Sequence, residues 1–349
     1  MLNKINVKGF KSLKEESLEL KPLTIVTGTN SSGKSTLLQS ILFAFRHSSV
    51  ENQLKMESLT NYLDKFSDVR NKYINAKEVY IKIEQSDYTF ELTYTNEGVD
   101  TSGELNVKID SPENSPEPEV FYLTANRRGP EEFAPTSRSK IGTTGEFVFS
   151  YFDSVKNRTL EAQNCKFKES LTLGYQVGRW LSFITDTNTE LRTEVLGTSK
   201  VKVIFEDKNL GQLSPLNLGA GMSYVAKLII ICLSAKKNDI VIIENPEIHL
   251  HPKAQAHLAN FFSYIVSLGV QVILESHCEH LINKIRYLTF KKNLSNEKVI
   301  FHYKSSVEEQ FASLKLNQNG HYINLNGEKT IFPSGFFDGT LTELIEIGA

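Results

Sequence analysis

The sequence predicts a mixed α/β fold, and three observations carry that prediction. First, three apolar runs, Leu23 to Thr27, Ile240 to Ile243 and Val270 to Leu274, have the length of buried strands, and each adjoins a segment of helical periodicity. Second, the run at Leu23 leads into SGKSTLLQSILFAF, where Leu37, Leu38, Ile41, Leu42 and Phe45 recur at helical spacing. Third, the run at Ile240 lies between SYVAKLIIICLSA and PKAQAHLANFFSYIVSL, with Leu258, Phe261, Phe262 and Ile265 on one face. Buried strands flanked in this way form a sheet covered by helices on both faces.

Other segments depart from that pattern. Residues 78–95 (EVYIKIEQSDYTFELTYT) alternate strongly and read as a β-meander with one wet face. Residues 101–119 are rich in Ser, Gly, Glu, Asn and Pro, the chemistry of turns and of a mobile surface loop. From about 155 to 196 the reading is mostly helical, with GYQVGRWLSFI its densest apolar stretch. No internal repeat is present, and no heptad run is long enough for a coiled-coil arm.

The chain has 349 residues, enough for two domains, and its 40% hydrophobic and 23% charged composition is that of a globular protein. With 39 Lys plus Arg against 41 Asp plus Glu, the net charge of -2 supplies no overall field for nucleic acid or an anionic membrane. Such a partner must meet a local patch. Cys165, Cys232 and Cys278 lie far apart, outside any metal or disulfide spacing, and read as free thiols in a reducing compartment. No secretory leader and no apolar run of membrane-spanning length is evident, so a cytoplasmic protein without a membrane partner is expected.

The strongest chemical signal is GTNSSGKS: Gly28, Thr29, Asn30, Ser31, Ser32, Gly33, Lys34 and Ser35, followed by Thr36. It matches G-x-x-x-x-G-K-[ST] between a strand and a helix, the context that a phosphate loop requires. Its glycines let backbone N–H groups turn inward around a nucleotide's phosphates, toward which the helix aims its positive end. Lys34 would bridge the β- and γ-phosphates, and Ser35 would hold Mg²⁺. The acid on the metal side is expected on a neighbouring buried strand, and Glu244 closes IVIIE as the candidate second metal ligand, its alternative being a helix-capping carboxylate. His277, just past the strand QVILE, can bond a γ-phosphate or the attacking water, or be an ordinary satisfied histidine.

FKSL, GTNSSGKS, LNLGAGMS (216–223), ENPEIHLHP (244–252) and ESHC (275–278) fall in the order seen in ABC-type ATPases. The sequence is similar to the structural-maintenance-of-chromosomes and RecF class of these, and in particular to small prokaryotic ATPases related to the overcoming-lysogenization-defect proteins. YLTANRRGPEEFAP, GTTGEF and FPSGFFDG resemble an AAA-type ATPase family that ends in a short domain of unknown function. The resemblance implies a P-loop NTPase fold, an ABC-type ATPase head with a β-rich sheet and an inserted mainly helical lobe. It further implies ATP with Mg²⁺, sandwiched in a head-to-tail homodimer or higher oligomer, with LNLGAGMS as the signature segment. Gly219, Gly221 and Ser223 would then approach the partner subunit's γ-phosphate; a Gly/Ser helix cap is the plainer alternative.

Two departures from the family pattern matter. Asn245 stands where ABC-type ATPases usually carry a catalytic glutamate, and an amide cannot take a proton from water. Glu247 is the remaining nearby carboxylate and becomes the candidate general base, alongside Lys34 and His277 as catalytic residues. A glutamine lid is not assigned, since Gln39 falls within the phosphate-loop helix and Gln53 in a polar stretch. His249 and His251 are two apart and form a weak metal pair at best. Arg127, Arg128, Arg138 and Lys140, like KIRYLTFKK at 284–292, would either contact phosphate or form a solvated surface.

These readings divide the chain into a split ATPase core (1–50 and 200–300), an inserted β-meander and helical lobe (51–199) and a C-terminal segment (301–349). The first functional expectation is an ATP-driven dimerising switch in prokaryotic antiviral defence or DNA repair. With no arm, and no two-metal acid cluster after His277, it would act through DNA or a separate effector such as a nuclease. The second is a nucleotide-binding scaffold with negligible hydrolysis, motivated by Asn245. A transporter subunit is a third, weaker reading, lacking the usual signature and glutamine lid.

Overall fold

The strand that feeds the glycine-rich loop, Leu23–Gly28, is buried along its whole length. Its parallel partner comes from the far end of the sequence: Val299–Lys304, also fully buried, pairs with it from Leu23↔Val299 to Gly28↔Lys304. The computed structural model describes residues 1–112 and 115–333, and these form two compact units, Met1–Ile109 with the segment from Ile273 onward, and Asp110–Val272.

In the first unit, Leu2–Phe10 and Leu13–Glu19 form an antiparallel hairpin. The alternating segment predicted as a separate meander instead continues this sheet: Val79–Gln85 pairs with the free edge of Leu2–Phe10 (Ile5↔Ile83, Val7↔Ile81), and Tyr88–Thr95 and Gly98–Gly103 follow in turn. The physical reason is shared burial. Ile5, Val7, Ile81, Ile83, Phe90 and Leu92 are each 1% exposed or less, and period-two alternation places them on one covered face. The phosphate-loop helix, Lys34–His47, buries the predicted Leu37, Leu38, Ile41, Leu42 and Phe45 completely. Its Phe43 ring meets Phe10 at 5.7 Å and stacks with Tyr94 at 5.8 Å, which fastens the helix to the antiparallel sheet.

The second sheet of this unit places Leu23–Gly28 between Val299–Lys304 and the strand Gln271–Glu275, with Ala312–Leu316 and Tyr322–Ile323 outward of Val299–Lys304. The start of the segment set apart at 301–349 is therefore an interior strand of the phosphate-loop sheet. The FPSGFFDG tail lies, from Ser334 onward, outside the described residues. Two buried polar contacts join this sheet to the N-terminal hairpin. Lys304 Nζ donates to Glu16 Oε1 at 2.6 Å, with both residues under 6% exposed. His302, fully buried, bonds Ser313 Oγ through Nδ1 (2.8 Å) and the Glu19 carbonyl through Nε2 (2.9 Å).

In the second unit, Glu119–Leu123 pairs in parallel with Ile240–Glu244. The helices Ala220–Ser234 and Pro252–Ser267 flank the latter in sequence, as predicted. The stretch read as mostly helical divides. Leu173–Thr185 is a helix whose Trp180 packs on Phe167, Phe183, Phe261 and Tyr264. Thr189–Leu196 is a strand that turns through Gly197 (φ 65°) into Lys200–Asp207. TELRTEVL alternates at period two, and that alternation outweighs its helix-forming residues. Among the described residues, no helix is long and apolar enough to cross a membrane.

Burial holds the His302 imidazole well below its usual range, at about 4. The folded state therefore favours neutral His302, and its contribution to stability is present above about pH 6.5 and lost as pH falls from there toward 4. Over that window the melting temperature of a His302→Gln variant is expected to fall less steeply than that of the wild type; parallel curves in a calorimetric pH series would contradict this assignment.

Candidate nucleotide site

Residues 28–36 leave the buried strand and enter the helix within one tight loop. Ser31 and Gly33 take left-handed φ values of 61° and 113°. Gly33 is the N-cap, and a Cβ there would lie 2.7 Å from Ser12 Oγ, so only glycine fits without displacement. The loop is braced by the parallel strand: Thr29 N donates to the Lys304 carbonyl (3.1 Å), and Thr29 Oγ1 to the Ser305 carbonyl (2.6 Å). Inside the loop, the Thr29 carbonyl accepts from Ser32 Oγ (2.9 Å) and Lys34 Nζ (2.5 Å). Thr29, Asn30 and Ser31 are exposed, whereas Lys34 is only 4% exposed. An open backbone rim thus surrounds a buried ammonium at the positive end of a 14-residue helix. The arrangement fits the phosphate groups of a nucleotide.

A carboxylate that sequence reasoning passed over stands beside this loop. Glu275, the last residue of Gln271–Glu275 and 5% exposed, accepts a hydrogen bond from Ser35 Oγ at 2.9 Å. Ser276 N bonds the Val26 carbonyl at 3.0 Å, which fixes this strand end against the strand entering the loop. Ser12 Oγ reaches Thr36 Oγ1 (3.1 Å), and Lys11 Nζ engages Gln39 Oε1 (2.8 Å). Burial lowers the Lys34 pKa, and Glu275 opposes that shift. His277, exposed two residues beyond Glu275, is also held below its usual range, first by desolvation and then by Lys34. The oxygen ligands here suit Mg²⁺, which takes one or two carboxylates together with nucleotide phosphates and water. Among the described residues no group of three or more His, Cys, Asp or Glu could hold a metal by itself.

The other predicted residues belong to the second unit. Glu244 is 8% exposed, and its carboxylate accepts from Tyr122 Oη (2.8 Å), Thr124 Oγ1 (3.4 Å) and Ala125 N (3.0 Å). Arg127 donates to the carbonyls of Glu244 (2.8 Å) and Asn245 (2.7 Å). Burial lowers the Arg127 pKa to about 10, with Glu247 the leading charge that opposes the shift, so the guanidinium stays charged. Asn245 has φ 43°, a left-handed conformation in which Asn is far commoner than Glu. Glu247 is half-buried in the turn that follows.

Three expectations change on contact with this geometry. Gly219 caps the helix Ala220–Ser234 at the surface, but Gly221 and Ser223 turn inward. A Cβ at Gly221 would lie 2.5 Å from the His249 carbonyl, and Ser223 is 1% exposed. The basic cluster divides, with Arg128 and Arg138 exposed and the other two turned inward. Arg127 and Lys140 are buried, Lys140 Nζ bonds Glu119 at 2.6 Å, and Arg128 pairs with Glu131 at 3.1 Å. His249 stacks on Tyr224 at 5.2 Å, while His251 Nδ1 accepts from Lys253 N at 3.3 Å as a helix cap.

The strand, glycine loop and helix carrying Lys34 and Ser35 define a P-loop NTPase fold. The chain belongs to the family described as AAA domain, putative AbiEii toxin, Type IV TA system, whose model matches residues 23–283. No curated protein sequence matches it. Solved structures share its fold at low identity, two Smc heads among them. One is an Smc head bound to the C-terminal winged-helix domain of ScpA (13% identity, TM-score 0.55, covering 91% of this chain and 98% of that one). The other is the Pyrococcus furiosus Smc head with an extended coiled coil, bound to the C-terminal domain of ScpA (12% identity, TM-score 0.56, covering 100% and 99%). The fold is that of an ABC/SMC-type ATPase head.

Gly33→Ala is expected to weaken ATP binding by about tenfold, because a strained backbone costs roughly 1–3 kcal/mol and 1.4 kcal/mol is a factor of ten. Isothermal titration calorimetry against the wild type measures the change, and equal affinities would show that the loop tolerates a side chain.

Proposed function

We propose that the protein binds and slowly hydrolyses ATP with Mg²⁺, dimerises around the nucleotide, and thereby controls a separate effector or DNA engagement in prokaryotic defence or repair. The observation that carries this reading is the phosphate loop itself. A buried Lys34, a helix N-terminus and the Ser35–Glu275 pair converge on one open backbone rim. Lys34 would neutralise the β- and γ-phosphates and Ser35 would hold Mg²⁺. His277 would bond the γ-phosphate or the attacking water. Glu247 is the proposed general base in place of Asn245, and Glu244 keeps its proposed metal-side role. The family description, a putative toxin of a type IV toxin–antitoxin system, supports a defence role and a separately encoded partner. The Smc heads seen with ScpA support an ATPase head that works through another chain.

Asn245 favours a second reading, a nucleotide-binding scaffold with negligible turnover. Steady-state phosphate release separates the two. Wild-type turnover is expected to exceed that of Lys34→Ala by at least about a hundredfold, and equality of the two would establish the scaffold. Glu247→Gln is expected to lose about two orders of magnitude, as removal of a general base does; normal turnover there would remove this residue from the chemistry.

Gly219 offers a clean probe of the dimer, since a Cβ added there meets nothing within 4 Å. ATP with Mg²⁺ is expected to double the mass of Glu247→Gln in light scattering, and adding Gly219→Arg should leave it monomeric. Unchanged mass in the first variant would count against the sandwich.

A further inference from the structure

Glu275 poses an electrostatic problem. The loop is built to receive a polyanion, yet a carboxylate 5% exposed is fixed at the same helix start. Lys34 brings one positive charge, against that of Glu275 and the several charges of a nucleotide's phosphates. Like charges at this range in a partly desolvated site repel by amounts that defeat binding, unless a cation lies between them. Ser35 shows where that cation fits. Its hydroxyl has one hydrogen and two lone pairs; the hydrogen is committed to Glu275 at 2.9 Å, which leaves the lone pairs for a hard cation.

The strand register makes this arrangement a fixed one. Glu275 ends a strand buried at every position, Ser276 N is tied to Val26 in the strand entering the loop, and Gly28 at that strand's end is paired with Lys304. The backbone that carries this carboxylate therefore cannot be moved away from the loop without breaking the sheet.

We infer that Glu275 is a further metal-side acid of the phosphate loop, in addition to the role proposed for Glu244: through Ser35 it orients and charges a Mg²⁺ position, and so makes nucleotide binding conditional on the divalent cation. This inference rests on the nucleotide-site reading above. Glu275 is a positioning residue, acting on Mg²⁺ through the Ser35 hydroxyl. It deters metal-free nucleotide by repulsion and admits the Mg²⁺ complex by attraction.

The test is calorimetric titration of ATP into the full-length protein, in Mg²⁺ and in EDTA. Wild type is expected to bind at least about tenfold more tightly with Mg²⁺. Glu275→Gln keeps an acceptor for Ser35 but removes the charge, so its affinity in EDTA should rise above that of the wild type and its Mg²⁺ enhancement should fall below about threefold. Glu275→Asp, which keeps the charge, should retain the enhancement. Where Glu275→Gln does not fold, the near-isosteric Glu275→Met takes its place with the same expectation. Three results would overturn the assignment while leaving the nucleotide site intact: equal wild-type affinity in the two buffers, an unaltered ratio in Glu275→Gln, or loss of the enhancement in the Gln and Asp variants alike, as a merely structural role would give. Absence of ATP binding to the wild type in either buffer would overturn the site reading and this inference together.

Discussion

The parallel pairing of Leu23–Gly28 with Val299–Lys304 is the constraint on which the nucleotide site depends. A loop rich in glycine and serine has little of its own to hold it, and fixing its backbone is entropically costly. The pairing carries the order of a buried sheet to the first residues of the loop, where the Lys304 carbonyl takes the Thr29 N–H. The same Lys304 sends its ammonium to Glu16 on the N-terminal hairpin, so one residue fastens loop and hairpin together.

Buried charge recurs through both units, and three instances are buried ion pairs. Lys304 pairs with Glu16, Lys227 with Glu131, and Lys140 with Glu119. Such pairs add little net stability because desolvation offsets much of their attraction, but removing one partner leaves a buried charge that costs several kcal/mol, about 3–5. Glu275 lies where its charge opposes the lowering of the Lys34 pKa, and the role inferred for it adds a cation reached through Ser35.

Much of this was legible in the sequence. The phosphate loop, the helix after it and the strand before it follow from a motif whose local context is sufficient, and Leu37, Leu38, Ile41, Leu42 and Phe45 form the buried face that their spacing predicts. His277 feels the Lys34 charge, which adds to desolvation in lowering its pKa. What escaped were relations between distant segments. Nothing in EVYIKIEQ announces that it will extend a sheet started at residue 2, and nothing in VIFHYK announces an interior strand next to the loop. Glu275 was hidden for the same reason: it sits at a strand end beside a more familiar histidine, and only the register opposite Val26 brings its side chain to Ser35. A partial signal was present, because an acid that ends an apolar strand is as unusual at Glu275 as at Glu244. The basic cluster misled because Arg127 and Lys140 are close in sequence to exposed residues, while their side chains run inward to carbonyls and to Glu119.

The brace on the loop also sets when in its life the protein becomes competent. Thr29 bonds a residue 276 positions later, and contacts of such long range close late and slowly. A chain made from its N-terminus exposes the glycine loop long before its supporting strand exists. The bonds from Thr29 to Lys304 and Ser305 can therefore form only after nearly the whole described chain has been made.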